Sequence, residues 1–412
     1  MKYVIIGAGP AGVIAAETLR QADISGSIII IGDEPEPPYS RMALPYLLGG
    51  KVGEKGTYLR KDQGNFEKLG IEIRKSRVNK VDAVGKRLVL NDGQLLPYDR
   101  LLLATGAYPV APPIPGMDLP GIHPCWTLED ARHIARLAKP GARVLQMGAG
   151  FVGCIIMEAL VKRGVHLTVV EMGNRMVPRM MTEAAGNMIR KWVEQKGVKV
   201  YTDTRVEVIE PADEPGVLRV RLGNGETLEA DLVTSATGVR SNIGFLDGSG
   251  ITTDVGVLVD DQMRTNMADV YAAGDVAQAR DFSTGKMMVN AIQPNAAEQS
   301  RIAALNMAGN TVSSPGSLAI NVLDTMGLIA ASFGQWWGAE DGQCAELIDE
   351  KNFRYICLQF KNDVLIGATS LGLTQHIGVL RGLIQTRTRL GEWKEHLLKD
   401  PTRFMEAYLA LA

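Results

Sequence analysis

One local pattern, a glycine turn between a short apolar strand and a helix, occurs twice in this chain of 412 residues. The first copy is Gly7–Gly12, preceded by the apolar run Tyr3–Ile6. The second copy is Gly148–Gly153, preceded by Arg143–Met147. A further apolar strand follows the helix in both copies. Each copy therefore predicts a βαβ unit, whose strands belong to a parallel sheet.

The spacing of the glycines in both turns is Gly-x-Gly-x-x-Gly. In this pattern the first glycine permits a tight turn, and the second lets the backbone approach a pyrophosphate. The third allows close packing of helix against strand. The helix that follows offers free N–H groups to phosphates. Two dinucleotide sites are predicted, and an ordinary glycine-rich turn is the alternative for each.

Acidic residues follow the second strand of each unit. Glu171 comes directly after His166–Val170, where a carboxylate suits the ribose hydroxyls of NADH and repels the 2′-phosphate of NADPH. Arg175 lies four residues further and leaves NADPH open as an alternative. In the first unit, Asp33 and Glu34 are both candidates for the ribose contact, and Asp33 is favoured.

Two dinucleotide sites in one chain predict electron transfer between two dinucleotides. The expected pair is a tightly held FAD and an exchanging NAD(H). A flavin stores a hydride and can release it as single electrons. The chain is therefore predicted to be an enzyme, an FAD-dependent NADH:acceptor oxidoreductase, in which the flavin carries the chemistry and no side chain is catalytic.

The order of these motifs predicts an α/β fold with two Rossmann-like dinucleotide-binding domains, the second inserted in the first. A small α+β C-terminal domain follows them. The insertion is supported by two similar segments, Leu101–Gly106 and Leu232–Gly238. Each is an apolar strand that ends in Ala-Thr-Gly, and such a repeat indicates two related nucleotide-binding domains. A proline-rich stretch at 109–116 marks a boundary. The predicted domains are 1–110 with 242–315 for FAD, 111–241 for NAD, and 316–412 as an interface domain.

Composition and charge exclude several other function classes. The net charge of −2 gives no sign of a surface for nucleic acid or for an anionic membrane. No apolar run approaches the roughly 20 residues of a membrane span. The four cysteines form no C-x-x-C pair and fit no zinc or iron–sulfur spacing, so no metal site is predicted. They are expected to be reduced and structural in a cytoplasmic protein.

Several segments resemble the FAD-dependent pyridine nucleotide oxidoreductases. Besides the two glycine turns they are Pro38–Arg41, Tyr98–Gly106, Val169–Glu171 and Thr265–Val276. The resemblance implies that Asp275 binds the ribityl-phosphate region of FAD and that Arg41 lies against FAD. It also implies that the helix after Pro294, with Asn295, Glu298 and Gln299, points its N-terminus at the flavin pyrimidine ring. The residues predicted to bind FAD are Gly7, Gly9, Pro10, Ala11, Gly12, Asp33, Glu34, Arg41, Ala104, Thr105, Gly106, Gly274, Asp275 and Asn295, and those predicted to bind NAD are Gly148, Gly150, Phe151, Val152, Gly153, Glu171 and Gly238.

Within that family the chain looks most similar to rubredoxin, ferredoxin and nitrite reductase flavoproteins. The first helix lacks the cysteine pair of disulfide reductases, and Met42–Tyr46 lacks the single cysteine of peroxidase-like members, so no thiol chemistry is expected at the flavin. Two positions depart from the ferredoxin-reductase pattern. Tyr46 stands where those relatives have a lysine, and Ile155 where they have the glutamate that pairs with it. Glu158, one helical turn further on, is an alternative acid.

The resemblance implies that the electron acceptor is a one-electron iron–sulfur protein or subunit. Pro294–Gln299 and Ala304–Gly309 look similar to NADH-linked flavin subunits of 2-oxoacid dehydrogenase complexes, of which the phenylglyoxylate type is the nearest. A hetero-oligomer is therefore expected. The alternatives are a free-standing NADH:rubredoxin or ferredoxin reductase, a non-catalytic flavoprotein binding module, and an oxygen-reducing NADH oxidase.

Overall fold

The computed structural model describes residues 1–62 and 64–411. The strands are β1 (Lys2–Ile6), β2 (Ser27–Gly32), β3 (Ile71–Lys75), β4 (Val78–Asp82), β5 (Arg87–Leu90), β6 (Leu95–Pro97), β7 (Arg100–Leu103), β8 (Ala107–Pro109), β9 (Ile122–Pro124), β10 (Arg143–Met147), β11 (His166–Val170), β12 (Lys199–Tyr201), β13 (Val206–Pro211), β14 (Leu218–Leu222), β15 (Thr227–Ala230), β16 (Leu232–Ser235), β17 (Val239–Ser241), β18 (Val257–Leu258), β19 (Val270–Ala272), β20 (Ala277–Arg280), β21 (Met287–Met288), β22 (Ile320–Thr325), β23 (Leu328–Gly334), β24 (Gln343–Asp349), β25 (Arg354–Lys361) and β26 (Val364–Leu371). The helices are α1 (Pro10–Ala22), α2 (Leu44–Leu48), α3 (Asn65–Lys68), α4 (Leu128–Leu137), α5 (Phe151–Lys162), α6 (Glu183–Glu194), α7 (Gln293–Met307), α8 (Gly378–Thr386), α9 (Glu392–Lys399) and α10 (Phe404–Leu411). Within the described ranges, no helix is long and apolar enough to cross a membrane.

The chain divides into two compact units, and each unit contains one of the glycine turns. Unit 1 comprises Met1–Ala43, Val52–Tyr108 and Val239–Leu318, and unit 2 comprises Leu44–Lys51, Pro109–Gly238 and Ala319–Ala412. The segment predicted as a separate C-terminal domain lies in unit 2, together with the segment predicted to bind NAD. The division into three domains stays a prediction.

Unit 1 is built on a parallel five-stranded sheet in the order β19-β7-β1-β2-β3. The isoleucine run of β2, Ile28–Ile31, is buried along its whole length, as expected for a strand covered on both faces. Ile6 pairs with both Ile31 and Leu103 in register, and Leu103 pairs with Ala272. The carboxyl ends of four neighbouring strands therefore meet at one edge, where α/β sheets bind their ligands. Helices α1 and α7 pack against each other.

Unit 2 repeats this arrangement in a second parallel sheet, in the order β12-β11-β10-β16-β9. Met147 pairs with Val170 on one side and with Ser235 on the other, so β10, β11 and β16 end together. A three-stranded antiparallel sheet, β13-β14-β15, is inserted between β12 and β16. The two parallel sheets with their βαβ turns confirm the predicted α/β fold class.

The C-terminal part of unit 2 is a five-stranded antiparallel sheet in the order β22-β23-β26-β25-β24, followed by α8, α9 and α10. Strands were predicted near 320–323, 355–360 and 365–368, where β22, β25 and β26 lie. The sequence did not indicate β24. This strand lies at the edge of the sheet and exposes most of its side chains, so it lacks a strong apolar pattern.

Candidate functional site

The turn between β1 and α1 is held by two very close backbone approaches. Gly7 has a φ of +118°, and a Cβ placed there would lie 2.0 Å from the Ala104 carbonyl oxygen. A Cβ on Gly12 would lie 1.9 Å from the carbonyl oxygen of Gly7. Only glycine satisfies both positions, because a methyl group would collide with the main chain.

The middle glycine of this turn has the opposite surroundings. Apart from its two chain neighbours, no described residue comes within 4 Å of a Cβ placed on Gly9, which is the N-cap residue of α1. No side chain caps this helix, and Pro10, its first residue, has no N–H group to satisfy. An uncapped helix N-terminus with room beside Gly9 suits a phosphate approaching α1.

Asp275 is held close to this turn by glycine packing and by a buried amide. A Cβ on Gly274 would lie 3.2 Å from Cβ of Ala11 and 3.5 Å from Cβ of Ala296, so Gly274 fits between α1 and α7. The Gly274 N–H donates to Oε1 of Gln299 at 2.9 Å. The Ser241 hydroxyl donates to the Asp275 carbonyl oxygen at 2.7 Å. Three other segments of unit 1, namely α1, α7 and the segment with Ser241, thus fix the position of Asp275.

The Asp275 carboxylate itself accepts no hydrogen bond from the described residues of the chain. Burial raises its pKa, and the positive charge of Arg41 partly offsets that effect. A partly buried carboxylate of this kind needs a donor, and a ligand hydroxyl group can supply one. The charge of Arg41 thus acts on Asp275. The contact of Arg41 with FAD, which the resemblance implies, stays a prediction.

The contacts of Arg41 also bear on the choice between Asp33 and Glu34. Nη2 of Arg41 donates to Oε1 of Glu34 at 2.7 Å, and the Tyr39 hydroxyl donates to the same carboxylate. The Asp33 side chain is 54% exposed, with Arg77 4.0 Å away, whereas that of Glu34 is 30% exposed. Asp33 is the freer of the two acids. Tyr39 was not singled out by sequence reasoning, although it lies in the Pro38–Arg41 motif.

The remaining residues predicted for FAD lie on two further elements of unit 1. Thr105 follows β7, and its hydroxyl donates to the Asn242 carbonyl oxygen at 2.9 Å. Gly106 has a φ of +64° and accepts from the Asn242 N–H. Asn295, in the first turn of α7, is buried and donates to the Leu318 carbonyl oxygen at 3.3 Å. Its amide thus has a structural contact within the protein, whereas Glu298 is exposed.

The turn between β10 and α5 has the same geometry as the first. A Cβ on Gly148 would lie 2.5 Å from the Ala236 carbonyl oxygen, and one on Gly153 would lie 2.4 Å from that of Gly148. Gly150 is the N-cap of α5; in the described ranges, no side chain caps this helix, and a Cβ on Gly150 would meet nothing within 4 Å beyond its chain neighbours. Phe151 and Val152 begin the helix. Unit 2 therefore contains a second open helix N-terminus.

Glu171 lies against this second turn. Its Oε2 accepts from the Ala149 N–H at 2.7 Å, and its Oε1 accepts from the Gly173 N–H at 2.8 Å. Both bonds come from the main chain, and none of the described lysines and arginines forms an ion pair with this carboxylate. The contact of Glu171 with ribose hydroxyl groups stays a prediction.

Two other residues predicted to lie near the NAD site are Arg175, which left NADPH open as an alternative, and Gly238, which follows β16. The guanidinium of Arg175 donates to the carbonyl oxygens of Met181 and Pro178 and to the Asn174 side chain. It is therefore engaged within its own loop. Gly238 has a φ of +117°, is exposed, and accepts from the Val110 N–H at 3.0 Å.

The two departures from the ferredoxin-reductase pattern lie in unit 2. Tyr46 is exposed, and the ammonium group of Lys51 lies 5.4 Å from its ring centre. Glu158 forms ion pairs with Lys162 and, at 3.8 Å, with Lys51. Burial opposes its ionisation, but the hydrogen bond from Lys162 and the nearby positive charges outweigh burial and lower its pKa. Glu158 thus has a lysine partner from α2's C-terminal side, which the sequence spacing did not reveal.

Both turns fit a dinucleotide on observations within each unit. Each has an uncapped helix N-terminus with room beside its middle glycine. Each also has a carboxylate close by to which none of the described lysines and arginines is bonded: Asp275 in unit 1 and Glu171 in unit 2. No cluster of three or more metal-ligating side chains occurs in the described residues.

The comparisons with known proteins agree with this geometry. Residues 1–300 match the family model described as pyridine nucleotide-disulphide oxidoreductase. The NADH-dependent phenylglyoxylate dehydrogenase subunit epsilon of Aromatoleum evansii is 35% identical over 97% of this chain and 95% of that protein. The rubredoxin-NAD(+) reductase of Pseudomonas putida is 29% identical over 93% of this chain and 99% of that protein.

Solved structures show the same fold. The crystal structure of the covalent putidaredoxin reductase–putidaredoxin complex matches with a TM-score of 0.91 at 23% identity, over 100% of this chain and 98% of that chain. The predicted oxidoreductase activity and the predicted cofactors, FAD and NAD(H), are confirmed at the level of the family. On the match to its first 300 residues and on this full-length likeness, the chain belongs to the pyridine nucleotide-disulphide oxidoreductases.

Proposed function

We propose that this protein passes electrons between NAD(H) and a one-electron iron–sulfur centre, as the flavin subunit of a multi-subunit 2-oxoacid dehydrogenase of the phenylglyoxylate type. The observation that carries the proposal is the likeness to the Aromatoleum evansii subunit, which extends over nearly all of both chains. A relationship of this length includes the C-terminal sheet of unit 2 as well as the two cofactor turns. The partners we propose are the iron–sulfur subunits of that complex.

Unit 1 is proposed to hold FAD. The open N-terminus of α1 would face the pyrophosphate, and the Asp275 carboxylate would accept a hydrogen bond from the ribityl chain. Asp33 would accept from the adenosine ribose, since Glu34 is already bonded to Arg41 and Tyr39. Bound FAD supplies the capacity to take a hydride and release single electrons. The chain's own contribution is to bind and orient.

Unit 2 is proposed to hold NAD(H). Gly150 leaves room for the pyrophosphate at the N-terminus of α5, and Glu171 lies where the ribose hydroxyls are expected. A carboxylate there disfavours a 2′-phosphate through charge repulsion. Arg175 is engaged by two carbonyl oxygens, which reduces its availability to a phosphate. We therefore propose NADH rather than NADPH.

A free-standing NADH:rubredoxin or ferredoxin reductase is the second candidate. The specific observation in its favour is the likeness to the Pseudomonas putida rubredoxin reductase, which covers almost all of that protein. A non-catalytic flavoprotein module is the third, and it rests on the uncharged residues Tyr46 and Ile155. Both charged partners of the usual pair are replaced together, so neither is left buried alone, and we favour an active enzyme.

Anaerobic mixing of the purified full chain with NADH tests whether NADH reduces the flavin. Bleaching of the flavin absorbance within seconds is expected, and no bleaching over minutes would identify the binding module instead. The Glu171→Ala variant should slow the bleaching at low NADH concentration. The Glu210→Gln variant is the matched control, because Glu210 is an exposed acid elsewhere in unit 2.

Purification of the native protein under anaerobic conditions distinguishes the first two candidates. We expect it to copurify with iron–sulfur subunits in a complex that reduces NAD⁺ when supplied with phenylglyoxylate. The chain expressed alone should then reduce artificial dyes but neither rubredoxin nor ferredoxin efficiently. Rapid reduction of one of those two proteins by the isolated chain would instead identify a free-standing reductase.

A further inference from the structure

Two cysteines of the C-terminal sheet lie side by side on neighbouring strands. Cys344 belongs to the edge strand β24, and Cys357 belongs to β25. In the antiparallel register Cys344 faces Gln359, and Cys357 faces Glu346, so the two cysteines are diagonal neighbours on one face. Their Sγ atoms are 3.1 Å apart. A disulfide bond is 2.03–2.05 Å long, so the sulfurs need to approach by only about 1 Å.

The two thiols differ in their access to solvent. Cys344 is exposed on the outer strand, whereas Cys357 is 2% exposed. A small molecule can therefore reach the sulfur of Cys344 first, and Cys357 is available only to a group already attached there. This asymmetry is the one that an attacking thiol and a second, resolving thiol require.

Hydrogen bonds favour ionisation of the exposed thiol. The Cys344 and Cys357 thiols are hydrogen-bonded to each other, and Nε2 of Gln359 donates to the Cys344 sulfur at 3.6 Å and to the Cys357 sulfur at 3.2 Å. Chiefly through the hydrogen bond with Cys357, the pKa of Cys344 falls to about 7, although burial and the charge of Glu346 oppose the change. The same bond, with burial, raises the pKa of Cys357. Near neutral pH Cys344 is thus the thiol of this pair that ionises more readily, and it is the better nucleophile.

The other two cysteines lack each of these properties. Cys125 and Cys154 are buried, and burial raises the pKa of each to about 12. Cys154 donates to the Ala149 carbonyl oxygen instead of a second sulfur. They serve as internal controls for thiol reactivity.

We propose that Cys344 and Cys357 form a thiol–disulfide exchange site for small-molecule disulfides, with Cys344 attacking and Cys357 resolving. The Cys344 thiolate attacks one sulfur of the disulfide R–S–S–R. A Cys344–S–S–R bond forms, and the R–S–S–R bond breaks to release one thiolate. The Cys357 thiol then loses its proton to solvent and attacks the Cys344 sulfur. The Cys344–Cys357 bond forms, and the second R–S⁻ leaves. The cysteine pair is oxidised by two electrons, and the small disulfide is reduced to two thiols.

The test exposes the reduced, flavin-containing full chain to glutathione disulfide at pH 7, followed by an acid quench and peptide mapping by mass spectrometry. In the unmodified protein the expected product is the Cys344–Cys357 disulfide. The Cys357→Ser variant should instead retain glutathione on Cys344, because no second thiol displaces it. The Cys344→Ser variant should react at least ~10-fold more slowly, since the remaining thiols are scarcely ionised.

Preferential modification of Cys125 or Cys154 in the folded protein would overturn the proposal. So would a Cys357→Ser variant that folds, judged by its flavin spectrum, yet accumulates no mixed disulfide. A second measurement does not depend on that variant folding. The pH midpoint for alkylation of Cys344 by iodoacetamide should rise in Gln359→Met, which removes a donor to the sulfur. The midpoint should not change in the control variant Gln343→Met, because Gln343 is exposed on the opposite face of β24. An unchanged midpoint in Gln359→Met would count against the site.

Discussion

The main-chain N–H of Ala149 donates a 2.7 Å hydrogen bond to Oε2 of Glu171, which joins the second glycine turn to the end of β11. The other carboxylate oxygen accepts from the Gly173 N–H at 2.8 Å. The acid that is proposed to select the nicotinamide cofactor therefore also holds the turn that is proposed to bind its pyrophosphate. A change at this one residue affects both.

Replacement of Glu171 tests cofactor selection. We expect the unmodified enzyme to prefer NADH over NADPH by at least ~10-fold in kcat/KM, which corresponds to about 1.4 kcal/mol. Glu171→Ala should reduce this ratio, mainly by weakening the use of NADH, because it removes the ribose acceptor and the repulsion of the 2′-phosphate. Steady-state kinetics with both cofactors and an artificial dye measure the ratio. Equal use of the two cofactors by the unmodified enzyme would contradict the role of Glu171, and Glu210→Gln should leave the ratio unchanged.

Asp275 should act in opposite directions on flavin binding and on the stability of the flavin-free protein. Asp275→Asn should weaken FAD binding by about 10-fold or more, because a charged acceptor in a partly buried place is replaced by a neutral amide. Dialysis followed by flavin fluorescence measures the retention. Asp247→Asn, at an exposed aspartate of the same unit, is the matched control. Full occupancy of Asp275→Asn after extended dialysis would remove Asp275 from the site.

The stability effect follows from the sign of the pKa change. Burial raises the pKa of Asp275 in the folded flavin-free protein, and Arg41 offsets this only partly. The folded state then keeps its proton to a higher pH than the unfolded state, so ionisation removes stability as the pH rises through this interval. Flavin-free Asp275→Asn should therefore unfold at higher urea concentration than the unmodified flavin-free protein at pH 7. The difference should shrink as the pH falls and vanish only at about pH 3 and below, where both states are protonated.

The Gln299→Leu variant tests the hydrogen bond that holds Gly274, the residue before Asp275, in place. Oε1 of Gln299 is the acceptor for the buried Gly274 N–H, so Gln299→Leu leaves that group without a partner. The free energy of unfolding should fall by ~1–3 kcal/mol. Gln293→Leu, which removes a 3.3 Å contact to the Ser40 hydroxyl at the exposed start of α7, should cost less than about 0.5 kcal/mol. Urea unfolding measures both, and equal losses in the two variants would contradict the assignment.

The sequence predicts a structural feature well when the feature depends on neighbouring residues, and poorly when it depends on contacts between distant segments. Gly7 and Gly148 were predictable because a side chain at either position would collide with a neighbouring main-chain carbonyl. The ion pair of Glu34 with Arg41 was not predictable, because it depends on how the loop that contains Arg41 folds back. The contact of Cys344 with its partner was also hidden, since it requires the register between two strands, one of them an exposed edge strand.

The last prediction concerns the route of electrons out of the flavin. The described part of α1 contains no cysteine, and neither does the segment 41–48, so we expect no thiol to relay electrons from FAD. Replacement of Cys125, Cys154, Cys344 and Cys357 by serine should leave NADH-dependent dye reduction, expressed per bound FAD, within about threefold of the unmodified value, because the flavin carries the chemistry.

The same variant should lose thermal stability, because the serine hydroxyls at Cys125 and Cys154 are buried where sulfur packed. The matched control is the double variant of Cys344 and Cys357 alone, which abolishes the exchange with glutathione disulfide while leaving the two buried sites intact. Dye reduction in that control should equal that of the unmodified enzyme. A loss of more than ~100-fold, about 2.7 kcal/mol, with fold and FAD content preserved would show that a thiol carries the electrons. It would move this chain to the disulfide-reducing branch of its family.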